Sequence, residues 1–88
     1  IGKEGRHEEA ERMCREILEI ERRVLGGEHP LTLRTGTTMA RAIAAQGRRA
    51  EAEVMFGDLL EVMKRTLGDT YSLTVETSRE LAELTRPS

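Results

Sequence analysis

The chain has 88 residues, a formal charge of −2 with 34% of its residues charged, one cysteine, two histidines, and Phe56 and Tyr71 as its aromatic side chains. That balance excludes a basic nucleic-acid face and a stacking platform for single strands. It also excludes an internal disulfide, and a four-ligand zinc site made from Cys14, His7 and His29 alone. No apolar run approaches the ~20 residues that span a bilayer, and the opening Ile1-Gly2-Lys3-Glu4 lacks the apolar stretch of a secretory leader. The expectation is a cytoplasmic protein without membrane or nucleic-acid partners.

The first element reads as an amphipathic helix over about 7–25. Ala10, Met13, Cys14, Ile17, Ile20 or Glu21, and Val24 follow the three-four spacing of one helix face, with Arg12, Arg15, Glu16, Glu19 and Arg22 turned outward. Gly26-Gly27 ends it, since glycine accepts the left-handed backbone of a helix terminus. Pro30 suits the first turn of a second helix, Leu31 to Gln46, where its missing N–H is not needed. Gly36, Met39, Ala40 and Ile43 share a face there, and Gly47 stops it. A third, greasier and more central helix carries Ala52, Met55, Phe56, Leu59, Leu60, Val62, Met63 and Leu67 as far as Gly68. Ser72 is expected to cap a last helix over 73–85 that presents Leu73, Val75, Ser78, Leu81 and Ala82. No alternating run suggests a strand.

These four helices are two copies of one unit. Gly5-Arg6 returns as Gly47-Arg48, from position 5 to position 47, an offset of 42. At that offset Glu9-Ala10-Glu11 meets Glu51-Ala52-Glu53, Met13 meets Met55, Arg23 meets Arg65, Leu25-Gly26 meets Leu67-Gly68, Leu31-Thr32 meets Leu73-Thr74, and Ala40 meets Ala82. The chain therefore divides into copy one, 5–46, and copy two, 47–88, of a single all-α domain over 1–88. Helical repeats draw stability from stacking, and about three are normally required. The terminal helices should each lack a neighbour and expose Ile17, Ile20 and Leu81, which leads to an expected homo-oligomer formed by end-to-end stacking or helix exchange.

The strings Gly5-Arg6-His7-Glu8-Glu9-Ala10-Glu11, Ile17-Leu18-Glu19-Ile20, Val24-Leu25-Gly26 and Glu28-His29-Pro30-Leu31-Thr32-Leu33 resemble the long tetratricopeptide repeats of kinesin light chains. They are equally similar to the repeat arrays at the C-termini of fungal and bacterial nucleotide-binding signalling ATPases. The resemblance implies an α-solenoid of antiparallel helix hairpins, each repeat a helix A and a helix B, with Met39, Ala40, Ile43, Gly47, Ala52, Phe56 and Leu59 packing the central pair. It phases the four helices as B-A-B-A. It further implies a concave groove lined by the A helices, with Arg34, Thr37, Thr38 and Arg41 facing Glu76, Arg79, Glu80 and Glu83. Thr37-Thr38 and Arg79-Glu80 stand where this subfamily shows an Asn-Asn pair. The implied function is a non-catalytic scaffold that holds a partner peptide or helix. The alternative is a sensor or oligomerisation arm of a signalling receptor whose ATPase lies outside this chain.

The remaining chemistry-bearing residues read as structural, and no catalytic, metal or cofactor residue is assigned. His29 adjoins Pro30 in a turn, without the nucleophile and carboxylate a general base would need. His7 lies among glutamates on a helix surface, Cys14 falls on an apolar face, and Met13, Met39, Met55 and Met63 stand at core spacing. Gly26-Gly27 is not followed by the Gly-Lys-Ser/Thr of a phosphate loop.

Overall fold

The described residues form four helices, α1 Lys3–Val24, α2 Pro30–Ala45, α3 Arg49–Thr66 and α4 Ser72–Thr85, and no strand. The computed structural model describes residues 3–86, so the outermost residues of the expected domain and of copy two, 1–2 and 87–88, lie outside the described residues. Each helix packs on its neighbour in the sequence, as short connections dictate. The slab measures 38 × 34 × 17 Å. Its short dimension holds two layers at the 8–10 Å spacing of packed helices, with α2 and α4 side by side in one layer and α1 and α3 in the other.

The two long turns repeat one another bond for bond. Gly26 and Gly68 take φ of +95° and +93°, a region costly for any residue with a Cβ. Their N–H groups donate to Glu21 O at 3.1 Å and Met63 O at 3.0 Å. Three residues on, the N–H groups of His29 and Tyr71 donate to Gly26 O and Gly68 O, both at 3.4 Å. His29 and Tyr71 then hold nearly the same extended backbone, φ −66° and −65°. His29 is the N-cap of α2, its Nδ1 accepting from Leu31 N–H at 3.1 Å, and Pro30 opens the helix. This corrects the cap expected for the last helix. The register set by Gly68 puts Tyr71 at the N-cap and Ser72 inside α4, and no side chain caps there.

α1 begins before the expected residue 7, and Gly5 is helical within it. Its counterpart Gly47 instead takes φ of +85° and closes α2, Arg48 N–H reaching Ile43 O at 3.3 Å.

The core has two parts. Cys14, Leu18, Met39, Ala40, Ile43, Ala52 and Phe56 form one cluster, with Leu81 and Leu84 packed against it. Leu33, Met63 and Leu73 form the other, flanked by Leu59, Val62 and Leu67. The expected faces of α2 and α3 are therefore the buried ones. α1 exposes Ile17 and Ile20, as expected of a terminal helix. Its buried row is Glu11, Cys14 and Leu18, while Met13, Ile17, Ile20 and Val24 are 45 to 73% exposed. A repeat helix has two apolar faces, one for each neighbour, and the extensive contact of α1 is with α2. At the other end Leu81 is half-buried against the first cluster, and Val75 is exposed in its stead.

Glu11 is 8% exposed, an unusual place for a carboxylate. Its Oε1 accepts from Gln46 Nε2 at 2.9 Å and Arg48 Nη1 at 2.8 Å, and its Oε2 from Arg15 Nη2 at 2.7 Å. Arg48 also donates to Glu51, so one network ties α1 to the α2–α3 corner. The Gln46 hydrogen bond, with Arg48 and Arg15 behind it, holds the Glu11 carboxyl below its usual 4.5 against the opposing effect of burial. A depressed folded-state value means stability that is present above 4.5 and lost as the pH falls through the folded value. Glu11→Gln should therefore melt lower than wild type at neutral pH, by about 1 kcal/mol for the weakened charged hydrogen bonds. Thermal melts recorded on a series from pH 7 downward should show the gap closing below 4.5; a gap independent of pH would contradict this role.

Candidate partner-binding groove

α2 and α4 lie side by side because α3 packs on both, and the strip between them is the shelf expected to receive a partner. Arg41 and Glu80 bridge its middle. Arg41 Nε donates to Glu80 Oε2 at 2.6 Å, and Nη2 donates to Oε1. The Glu80 hydrogen bond raises the Arg41 pKa further above its usual range, against desolvation. Half of the Arg41 side chain remains in solvent, so the pair contributes no more than about 1 kcal/mol. Its main effect is to divide the shelf.

On one side of the bridge a concavity opens over Pro30, Leu31, Arg34, Tyr71 and Glu76. Leu31 and Tyr71 are half-exposed. Neither Arg34 nor Glu76 makes an ion pair among the described residues. On the other side Ala44, Ala45 and Leu84 lie between Arg41, Arg49 and Glu83. Arg49 Nε donates to Leu84 O at 3.2 Å, satisfying a terminal carbonyl of α4 and closing that end.

Of the residues the sequence placed in the groove, Arg34, Arg41, Glu76, Glu80 and Glu83 line these two concavities. Arg79 joins Glu76, Glu80 and Glu83 along the outer edge of α4. Thr38 is exposed, its Oγ1 donating to Arg34 O at 3.2 Å. Thr37 does not reach the groove. It is 1% exposed and its Oγ1 donates to the same carbonyl at 2.7 Å. It lies on the core side, one helical turn from buried Leu33 and from buried Ala40.

Leu31 and Tyr71 escaped the sequence reading. Leu31 stands one turn before Arg34 and two turns before Thr38 on the same face, so stepping back along the helix finds it. Tyr71 had no such signal, because its place depends on the turn set by Gly68. Cys14 is buried, and burial, with Glu21 nearby, pushes its thiol pKa up and away from the reactive thiolate. No group of three or more His, Cys, Asp or Glu side chains gathers as metal ligands among the described residues. No helix there is long and apolar enough to cross a membrane.

Alternating helices stacked hairpin on hairpin, with a shelf along one layer, define an α-solenoid repeat protein. The tetratricopeptide repeat family model, of the kinesin-light-chain type, matches residues 3–31 and 32–70. The protein belongs to the tetratricopeptide repeat family. The second match spans α2 and α3 as one A–B repeat, and the first covers the B helix α1, in keeping with the B-A-B-A phase. Neither the curated proteins nor the solved structures gave a match. Tetratricopeptide repeats mediate protein–protein interactions, and this chain carries that module.

Proposed function

We propose that the chain is a scaffold that takes up a segment of a partner protein on the shelf between α2 and α4, without catalysing a reaction. One observation carries the reading: Leu31 and Tyr71 sit half-exposed over a concavity flanked by Arg34 and Glu76, two charges with no ion pair among the described residues. An exposed tyrosine beside an arginine is the composition of an interface hot spot. The occupant is an apolar side chain from an extended or helical segment, with an acidic residue toward α2 and a basic one toward α4. Arg41 and Glu80 already satisfy each other, and act as a fixed wall. The exposed apolar face of α1 adds self-association to the reading, and favours as its second form an arm that assembles copies of a larger receptor.

Peptides selected from a library against the wild-type chain supply the test. Tyr71→Ala and Arg34→Glu should each weaken such a peptide by about tenfold or more, the scale of a hot-spot truncation. Glu19→Lys, on the exposed side of α1, should leave its affinity unchanged. If both groove variants bind as wild type does, the shelf is not the binding surface.

A further inference from the structure

The two ends of the slab present unlike faces. At one end α1 leaves Met13, Ile17, Ile20 and Val24 in a row in solvent. At the other, α4 presents Val75, Ser78 and Ala82 over a shallow concavity walled by Lys64, Asp69 and Arg79. The internal repeat relates both faces to a contact already made inside the chain. Shifted back by one repeat, Val75, Ser78 and Ala82 become Leu33, Gly36 and Ala40. That is the buried surface of α2 against which α3 sets Leu59, whose Cδ2 lies 2.8 Å from where a Cβ on Gly36 would stand. Shifted likewise, Met55, Leu59 and Val62 of α3, half-buried beside α2, become Met13, Ile17 and Ile20 of α1. The exposed row on α1 is thus the projecting half of the α2–α3 contact, and the exposed face of α4 is its receiving half.

We propose that a second copy of this chain docks its α1 onto α4 of the first, head to tail, with Ile17 over Ser78 in continuation of the α2–α3 interface. The two halves are matched in size. Ser78 brings a short side chain where Gly36 has none, so the receiving surface is shallower, and Ile17 brings one δ-carbon where Leu59 brings two. Charge follows the same register. Within the chain Arg65 of α3 pairs with Glu28 at 2.9 Å. In the docked pair Arg23 takes the place of Arg65 and meets the Asp69-Thr70 turn, where the Asp69 carboxylate stands one residue from the position of Glu28. Because the faces differ, the contact is heterologous. It does not close on two copies, and each addition leaves one α1 face and one α4 face open. The inference rests on the self-association part of the proposed function and leaves the α2–α4 shelf free.

Two variants of the whole chain test it, each blocked on one face. Ile17→Glu with Ile20→Glu blocks α1, and Ser78→Arg with Ala82→Arg blocks α4; all four side chains are exposed, so the fold is retained. The milder single substitutions Ile20→Glu and Ala82→Glu repeat the comparison if circular dichroism shows either double variant unfolded. In sedimentation equilibrium at tens of micromolar, wild type should rise in average mass with concentration, past the dimer. Each blocked variant alone should remain monomeric, since each lacks one of the two required halves. Mixed together, they should form a one-to-one heterodimer and nothing larger, because each supplies the half the other lost. A monomeric wild type, a wild type that stops at the dimer, an α4-blocked variant that still dimerises, or a mixture that stays monomeric would each overturn the proposal. Library-selected peptides should bind both blocked variants as they bind wild type, which separates this test from that of the shelf.

Discussion

Phe56→Ala is expected to unfold a large fraction of the protein at room temperature. Phe56 is 2% exposed and lies in the cluster where α1, α2 and α3 meet, with Leu81 and Leu84 of α4 packed on the same cluster. Removing a buried aromatic ring from a core costs about 3–5 kcal/mol, combining lost transfer energy with the cavity left behind. A protein of this length holds a total stability of roughly 4–13 kcal/mol at ordinary values per residue. A chain whose α1 has extensive contact on one side only belongs at the low end. Urea titration followed by circular dichroism should show the folded baseline shortened or gone for Phe56→Ala. Phe56→Leu, which keeps most of the volume, should retain it, at a cost of less than about 1.5 kcal/mol. Equal midpoints for wild type and Phe56→Ala would mean that the ring is not in the core.

Gly36→Leu should have the next largest effect, with a compensating partner that makes it diagnostic. Leu59 Cδ2 and Cδ1 would lie 2.8 and 3.2 Å from a Cβ on Gly36. Those atoms are the tip of a flexible side chain, so Gly36→Ala displaces the tip alone, and the ~1 kcal/mol gained in helix propensity largely offsets the strain. Leucine adds three further carbons in the same direction and must push α3 away from α2. Overpacking of this kind costs about 1–3 kcal/mol. Leu59→Ala in the same molecule vacates the space, so the double variant should be more stable than the sum of the two single losses predicts, by about 1 kcal/mol or more. Strict additivity would show that the two side chains do not share the α2–α3 contact.

Legibility differed from helix to helix. The buried faces of α2 and α3 could be read from spacing because each helix has neighbours on both sides, so nearly all its apolar residues are inside. α1 carries the same pattern, and its missing neighbour made the exposure of Ile17 and Ile20 foreseeable, whereas the burial of Leu18 was not. Periodicity reports how wide an apolar stripe is, and which half is covered depends on a neighbouring helix. The glycine stops were legible from local chemistry, since Gly26, Gly47 and Gly68 all adopt positive φ. The Ser72 cap was misplaced because intrinsic preference favours serine, whereas the turn inherited from the repeat assigns the position to Tyr71. In the groove, the charged residues taken from family phasing line concavities on α2 and α4, while Thr37 is buried and its hydroxyl folds back onto Arg34 O. Glu11 went unread as a network centre because its partners Gln46 and Arg48 are distant in sequence. The repeated Gly-Arg and Glu-Ala-Glu strings were its only sequence trace.

The use of the shelf as the binding surface is tested most directly by nuclear magnetic resonance, titrating a library-selected peptide into the isotopically labelled wild-type protein. Amide shift changes should concentrate at Leu31, Arg34 and Thr38 of α2 and at Tyr71 and Glu76 of α4, and they should fade toward α1. Changes gathered instead around Met13, Ile17 and Ile20, with α2 and α4 undisturbed, would contradict it.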